Sequence, residues 1–154
     1  MNKIFILEDD DERILWFKEQ WGNHCELTIT TCIDSAIRDY TGDYDGLFLD
    51  HDLGGRQMVD SIESNTGYTF CKWIIENTET NKKIPIVVHS MNPAGSDKMA
   101  EILTDNKFID VFKISYPYLK TLWYTNQIGV GGKYFSDVNK KDRHNVSLLI
   151  PGGI

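Results

Sequence analysis

Residues 4–11 read IFILEDDD, four apolar residues followed directly by four acidic ones, and this stretch decides the fold. Two later apolar runs, 47–49 and 84–88, also end in polar residues: Asp50, His51 and Asp52 after the first, and His89 and Ser90 after the second. Short apolar runs without polar alternation are typical of strands that are covered on both faces of a parallel sheet. The sequence therefore predicts buried parallel strands that end in polar side chains.

Helical patterns lie between these runs. Apolar residues recur at helical spacing in segments 14–21, 68–75 and 96–103, and shorter helices are predicted from Ser35 and over 117–123. Further strands are predicted over 28–31 and 109–114. Alternation of strands and helices with short connectors predicts an α/β fold with a doubly wound, mostly parallel five-stranded sheet. In such sheets ligands bind beyond the carboxyl ends of the strands.

The length and charge of the chain limit its function class. With 154 residues and a formal net charge of −7, the chain fits one domain without the basic face of a DNA-binding protein. No apolar run approaches the ~18 residues of a membrane span. The three cysteines have no zinc-type spacing and suit a reducing compartment, so we expect a cytoplasmic protein.

Two segments depart from the strand–helix alternation. Residues 54–65 form a polar insertion beside the predicted ligand site, and either a lid or a solvated loop is compatible with it. We assign residues 1–124 to the α/β domain and residues 125–154, which are rich in glycine, to a C-terminal extension. That extension is predicted to form an added strand or a hairpin.

Acidic residues follow two strands that are expected to be neighbours. Glu8, Asp9 and Asp10 come after the first strand, and Asp50 comes after the third. Clustered carboxylates are costly unless a cation or protons compensate their charge. Oxygen ligands suit a hard divalent ion, so the sequence predicts a site for Mg²⁺ or Mn²⁺. Asp10 or Asp11 is alternatively a helix cap.

Two histidines follow the third and fourth strands. His51 and His89 stand next to the proposed ion, and histidine is the side chain best matched to proton transfer near neutral pH. Each is equally compatible with a hydrogen-bonded structural role. As catalytic residues they would divide the roles of acid and base, and the sequence does not assign which takes which.

Several residues near the same strand ends could bind a phosphate. Ser90 and Asn92 precede a predicted helix, whose first backbone amides favour an anion. Arg56 follows two glycines and offers a guanidinium, and Lys113 on the last strand is a second candidate cation.

Four segments resemble a known family: LEDDDERILWF, LFLDHDLGG, TGYTFCKWI and IPIVVHSMNPAGSDKM. Together with their flanks they cover about residues 1–105 and are similar to the cyclic-phosphate-processing receiver domains, a divergent group of response-regulator receivers. The resemblance implies that Glu8 and Asp9 surround a magnesium ion, that Asp50 is the phosphoryl-accepting position, and that the carbonyl of Asp52 completes the protein ligands. Lys113 is not followed by the proline that receivers carry after this lysine.

Three hypotheses about function remain. The first is a phosphoesterase that hydrolyses a cyclic phosphate on an RNA end or a cyclic nucleotide, with Asp50, His51 and His89 as catalytic residues. The second is a signalling receiver that is phosphorylated on Asp50, and the third is a non-catalytic domain that sequesters a nucleotide. The sequence does not identify a protein partner.

Overall fold

The computed structural model describes residues 1–128, with side chains up to residue 124, as five strands and five helices in strict alternation. The strands are β1 (Asn2–Leu7), β2 (Cys25–Thr30), β3 (Gly46–Leu49), β4 (Ile86–Val88) and β5 (Val111–Lys113). The helices are α1 (Asp11–Trp21), α2 (Ile33–Asp39), α3 (Gly67–Asn77), α4 (Pro93–Asp105) and α5 (Tyr116–Ile128).

All strand pairs in the sheet are parallel, and their order is β2-β1-β3-β4-β5. The predicted doubly wound, five-stranded α/β fold is therefore confirmed. Strands are added to one side of β1 and then to the other, so the strand order reverses between β1 and β3, and the edge of the sheet beyond Leu7 and Leu49 is the expected ligand position. The two residues are register partners, which brings Glu8 and Asp50 side by side.

The two faces of the sheet carry separate hydrophobic clusters. Even-numbered residues such as Ile4, Ile6 and Phe48 pack against α1 and α5, whereas Phe5 and Leu47 pack against α2, α3 and α4. Successive side chains of a strand point to opposite faces. The alternation continues past the strand ends and determines which polar residues meet.

Side-chain caps start the helices close to the strand ends. Asp10 accepts a hydrogen bond from the backbone N–H of Arg13, and Asn92 accepts one from Gly95, each at 3.0 Å. Pro93 occupies the first turn of α4, where its missing N–H costs nothing. The capping role considered for Asp10 is thus observed, and α4 begins three residues before the predicted helix.

Helix α5 continues to Ile128 and crosses the predicted domain boundary at residue 124. The added strand or hairpin predicted for residues 125–154 falls mostly on residues 129–154, which lie outside the described part of the chain. Among the described residues, no helix combines the length and the apolarity that crossing a bilayer requires.

Candidate functional site

Glu8, Asp50 and His89 form a buried cluster at the carboxyl ends of β1, β3 and β4. One ligand atom of each lies within 4.8 Å of the others. Each residue follows its strand on the face that packs against α1 and α5, because it continues the row of Ile6, Phe48 and Val87. The alternation of side chains along each strand therefore brings the three residues together.

Glu8 is held as a carboxylate by several donors. Its Oε2 accepts hydrogen bonds from the backbone N–H groups of Asp9 and Asp10, at 3.1 and 3.2 Å. Its Oε1 accepts one from Nε2 of His89 at 3.1 Å. Burial alone raises the pKa of Glu8, but the hydrogen bond and charge of His89, with help from Asp50 and Arg13, lower it to about 2.

The pKa of Asp50 is shifted in the opposite direction from that of Glu8. Burial and the adjacent negative charge of Glu8 raise its pKa to about 9, although Arg13 and the backbone N–H of His51 oppose the rise. Without a cation the two carboxyl groups therefore share one negative charge near neutral pH. A divalent ion would relieve this repulsion.

A cavity of about 440 Å³ opens above Asp50 and is called the Asp50 cavity here. Five residues predicted from the sequence as site residues line it: Asp9, Asp50, Asp52, Arg56 and Ser90. Of the described residues that line the cavity, none is a histidine. Acidic and basic side chains meet in this space, which is the charge pattern needed for a cation together with a phosphate.

Arg13 is a site residue that the sequence reasoning missed. Its Nη1 lies 3.5 Å from Oε1 of Glu8 and 3.9 Å from Oδ2 of Asp50, and its guanidinium stands over the ring of Tyr116 at 4.9 Å. The available signal was its position one turn after the Asp10 cap, which directs a side chain back toward the strand ends. Helix α1 therefore contributes a positively charged side chain to the site.

His51 points to the other face of the sheet. It is fully buried, its Nδ1 donates to Oδ1 of Asp52 at 2.7 Å, and its Nε2 lies 2.8 Å from Oγ of Ser61. Both ring nitrogens are thus used inside the protein. The alternation of side chains along a strand places His89 beside Glu8. The same alternation places His51 against α4, because residue 51 continues the row of Leu47 and Leu49.

Asn92 and Lys113 are placed differently from the other predicted phosphate-binding residues. The Asn92 amide caps α4 and donates to Oδ1 of Asp52 and the carbonyl of Val59, at 3.0 and 3.1 Å. The Lys113 ammonium lies 2.8 Å from Asp97, and both side chains are about half exposed or more. Neither is among the described residues lining the Asp50 cavity.

The insertion at residues 54–65 is an anchored wall of the cavity. The Asp52 carboxylate accepts hydrogen bonds from the backbone N–H groups of Met58 and Val59, at 2.7 and 3.2 Å. Asp9 accepts one from Gly55 at 2.6 Å, and both Gly54 and Gly55 have positive φ values. The hydrogen bonds from His51, Asn92 and this loop lower the pKa of Asp52 in spite of its burial.

The donors present fit a divalent ion. Glu8 and Asp50 offer carboxylate oxygens, His89 offers a nitrogen, and Asp9 lies at the rim of the cavity. The side-chain oxygens of Asp52 are occupied by the loop, so its contribution would come from the backbone carbonyl. Oxygen donors favour Mg²⁺ or Mn²⁺, and the imidazole is compatible with Mn²⁺.

Replacing Gly95 by Ala should destabilise the protein by about 1–3 kcal/mol, because a Cβ there would collide with the imidazole of His51. Gly→Ala inside a helix normally stabilises by ~0.5–1 kcal/mol, so the sign of the change is diagnostic. Urea unfolding measures it, with exposed Lys98→Ala in the same helix as the control. A Gly95→Ala protein as stable as the control would show that His51 is not packed against α4.

The fold of this chain is similar to those of several solved structures. The chain is similar to a sensor protein from Polaromonas sp. JS666, with 12% identity, a TM-score of 0.58 and coverage of 99% of this chain and 98% of that chain. It is also similar to the signal receiver domain of a putative Luxo repressor protein from Vibrio parahaemolyticus, with 14% identity, a TM-score of 0.56 and coverage of 99% and 92%.

A third match is the Mn²⁺-bound form of response regulator Rcp1, with 17% identity, a TM-score of 0.50 and coverage of 75% of this chain and 83% of that chain. At these identities the three likenesses show the fold alone. The family model of the cyclic-phosphate processing receiver domain matches residues 4–105. The comparison with curated proteins gave no match.

Proposed function

The chain belongs to the cyclic-phosphate processing receiver domain family, and we propose that it hydrolyses a cyclic phosphate on an RNA end or a cyclic nucleotide at the Asp50 cavity. The observation that carries the proposal is the joint presence of acidic and basic side chains around one cavity. Asp9, Asp50 and Asp52 line it together with Arg13 and Arg56. The acids suit a divalent ion, and the guanidiniums suit phosphoryl oxygens.

A divalent ion held by Glu8 and Asp50 would supply charge neutralisation and an activated water for opening the ring. Arg13 would bind a phosphoryl oxygen once its two carboxylate neighbours are neutralised. Ser90, whose side chain is at the cavity wall, would donate a hydrogen bond, and Arg56 would contribute from the loop. Together these residues would orient the phosphate over Asp50.

In this proposal the two histidines act through their carboxylate neighbours. His89 lies behind Glu8, so it would fix that carboxylate or complete the ion's ligands with Nε2. His51 would hold Asp52 and, through it, the loop wall. The acid and base roles expected for them would require direct access to the substrate.

The test is a panel of 2′,3′-cyclic, 3′,5′-cyclic and RNA-terminal cyclic phosphates, incubated with Mg²⁺, Mn²⁺ or a chelator. We expect one phosphate ester bond of the ring to be hydrolysed in the presence of the ion and no turnover with chelator. Binding without turnover under every condition would instead identify a sequestering domain. Turnover that is equal with chelator would remove the ion from the proposal.

A phosphoryl-accepting receiver is the second candidate, because Asp50 ends β3 beside Glu8 on a receiver-type fold. We expect no appreciable acylphosphate on Asp50 after incubation with acetyl phosphate and Mg²⁺, since Lys113 is paired with Asp97. Intact-mass spectrometry checks this. A +80 Da adduct, the mass of one phosphoryl group, that is absent from Asp50→Asn would favour the signalling function over hydrolysis.

The expected partner is thus a nucleotide or RNA end that carries a cyclic phosphate. The net charge of −7 argues against a general DNA-binding face, as the sequence indicated. Cytoplasmic localisation stays a prediction.

A further inference from the structure

We propose that a groove between α1 and α5 binds the base of the substrate, so that the substrate class is a nucleoside cyclic phosphate. The inference rests on the proposed function, since it places the phosphate in the Asp50 cavity. The groove encloses about 490 Å³ and is called the base groove here. The residues that define it are Leu15, Trp16, Met91 and Tyr116.

The base groove is continuous with the Asp50 cavity. Asp10, Arg13 and Met91 line both spaces. Met91 follows Ser90 directly, and its Sδ lies 3.2 Å from Nη2 of Arg13. One ligand can therefore have its phosphate beside Asp50 and its other end in the groove, with Arg13 at the junction.

Apolar and aromatic side chains form one part of the base groove, beside the charged residues that line the rest of it. Leu15 and Met91 are each 54% exposed, which leaves two large apolar side chains at one concave surface. The rings of Trp16 and Tyr116 pack edge to face at 5.7 Å behind them. Concave apolar surfaces with aromatic walls are typical of small-molecule sites, and a base is a flat group that binds such walls by stacking.

Arg13 extends the aromatic wall toward the phosphate. Its guanidinium stands over the ring of Tyr116 at 4.9 Å, and a planar guanidinium is itself a surface on which a base can stack. Burial raises the pKa of Tyr116 to about 12, so its hydroxyl stays uncharged beside the ligand.

The charges at the rim orient the ligand. Glu12 and Glu19 are exposed carboxylates on the α1 side of the base groove, and Lys120 is on the α5 side. The two carboxylates repel a phosphate and accept an uncharged base. The Arg56 guanidinium lies at the Asp50 cavity and that of Arg13 at the junction, so together with a divalent ion at Asp50 they would direct the phosphate end to that cavity.

The test compares three probes: adenosine 2′,3′-cyclic phosphate, glycerol 1,2-cyclic phosphate, which has no base, and adenosine. Isothermal titration with Mg²⁺ or Mn²⁺ gives their affinities. The wild type should bind the nucleotide at least about 10-fold more tightly than the cyclic phosphate without a base, as expected for one stacked base. Adenosine alone should shift the methyl resonances of Leu15 and Met91.

Leu15→Asp should weaken binding of the nucleotide by about 5- to 30-fold and leave the glycerol cyclic phosphate unchanged. Ile109→Asp is the matched control, because Ile109 is 65% exposed and lies outside the residues lining the groove. Both sites are on the surface, so the variants should fold, and equal melting temperatures verify this. The methyl shifts test the groove without any variant.

Two results would overturn the base groove: equal affinity of the wild type for the two cyclic phosphates, or an equal loss of affinity for both in Leu15→Asp. Turnover of either ester would still uphold the proposed function. A nucleotide that binds through Leu15 but is never hydrolysed would uphold the groove and contradict hydrolysis. Absence of binding by all three probes at millimolar concentration would overturn both.

Discussion

Asp50→Asn should lower the metal-dependent hydrolysis of a cyclic phosphate by ~10³-fold or more. A metal ion acting as a Lewis acid contributes several kcal/mol to the transition state, and each ~1.4 kcal/mol is a factor of ten in rate. Asn keeps the size of the side chain but removes the charge that would bind the ion next to Glu8. The measurement is kcat/KM on the ester identified in the panel.

Asp43→Asn is the control for this variant, because it makes the same chemical change at a carboxylate that is 84% exposed and is paired with Lys3. Its kcat/KM should equal that of the wild type. Asp50→Asn should also be more stable than the wild type in chelator at pH 8, since it removes one of two adjacent buried carboxyl groups. An Asp50→Asn protein that is folded and fully active would contradict the metal site.

Stabilisation by Mg²⁺ should increase strongly with pH, because the ion must displace the proton from Asp50. With a pKa of about 9 in the folded protein, Asp50 is mainly protonated at pH 7. The apparent affinity for Mg²⁺ should therefore rise about tenfold for each pH unit from 7 to 9 and then level off. Thermal unfolding at fixed Mg²⁺ concentrations reports the affinity, since a ligand of the folded state raises the melting temperature.

The metal-free protein should show the opposite trend. The folded-state pKa of Asp50 lies above its ordinary value of 3.8, so the group contributes full stability below pH 3.8 and loses that contribution as pH rises toward about 9. The Glu8 carboxyl has its pKa lowered to about 2, so its contribution is constant above its ordinary value of 4.5 and does not affect the trend between pH 4.5 and about 9. Asp50→Asn should abolish both slopes. A wild-type Mg²⁺ response that is flat from pH 7 to 9 would show that Asp50 is already ionised.

The acidic site could be predicted because it depends on strand order alone. Apolar runs without alternation indicated a parallel sheet, and the neighbouring strands that follow from this fold bring Glu8 and Asp50 together. Asp9 and Ser90 line the same cavity for the same reason, whereas Arg56 reaches it from the 54–65 loop. The helix cap at Asp10 was also readable from its position before an amphipathic segment.

The alternation of side chains along a strand is a sequence signal that bears on the positions of the two histidines. Counting alternate residues from Val87 places His89 on the face of Phe48, and counting from Leu49 places His51 on the opposite face. Sequence position therefore already separated His51 from its neighbour Asp50, whereas placing His89 beside Glu8 required the register between β3 and β4 that the structure provides. The hydrogen bond between Ser61 and Nε2 of His51 could not be predicted from this alternation, because Ser61 lies in an irregular loop.

By itself the sequence determined the parallel α/β sheet and the meeting of Glu8 and Asp50 at the ends of neighbouring strands, because short apolar runs that end in polar residues leave few alternatives. Tertiary structure alone decided which basic side chain reaches the site. Arg13 reaches both carboxylates from α1, whereas Lys113 is drawn to Asp97 on α4. A long cationic side chain has many rotamers, so its partner is set by the charges and rings that packing brings within its reach.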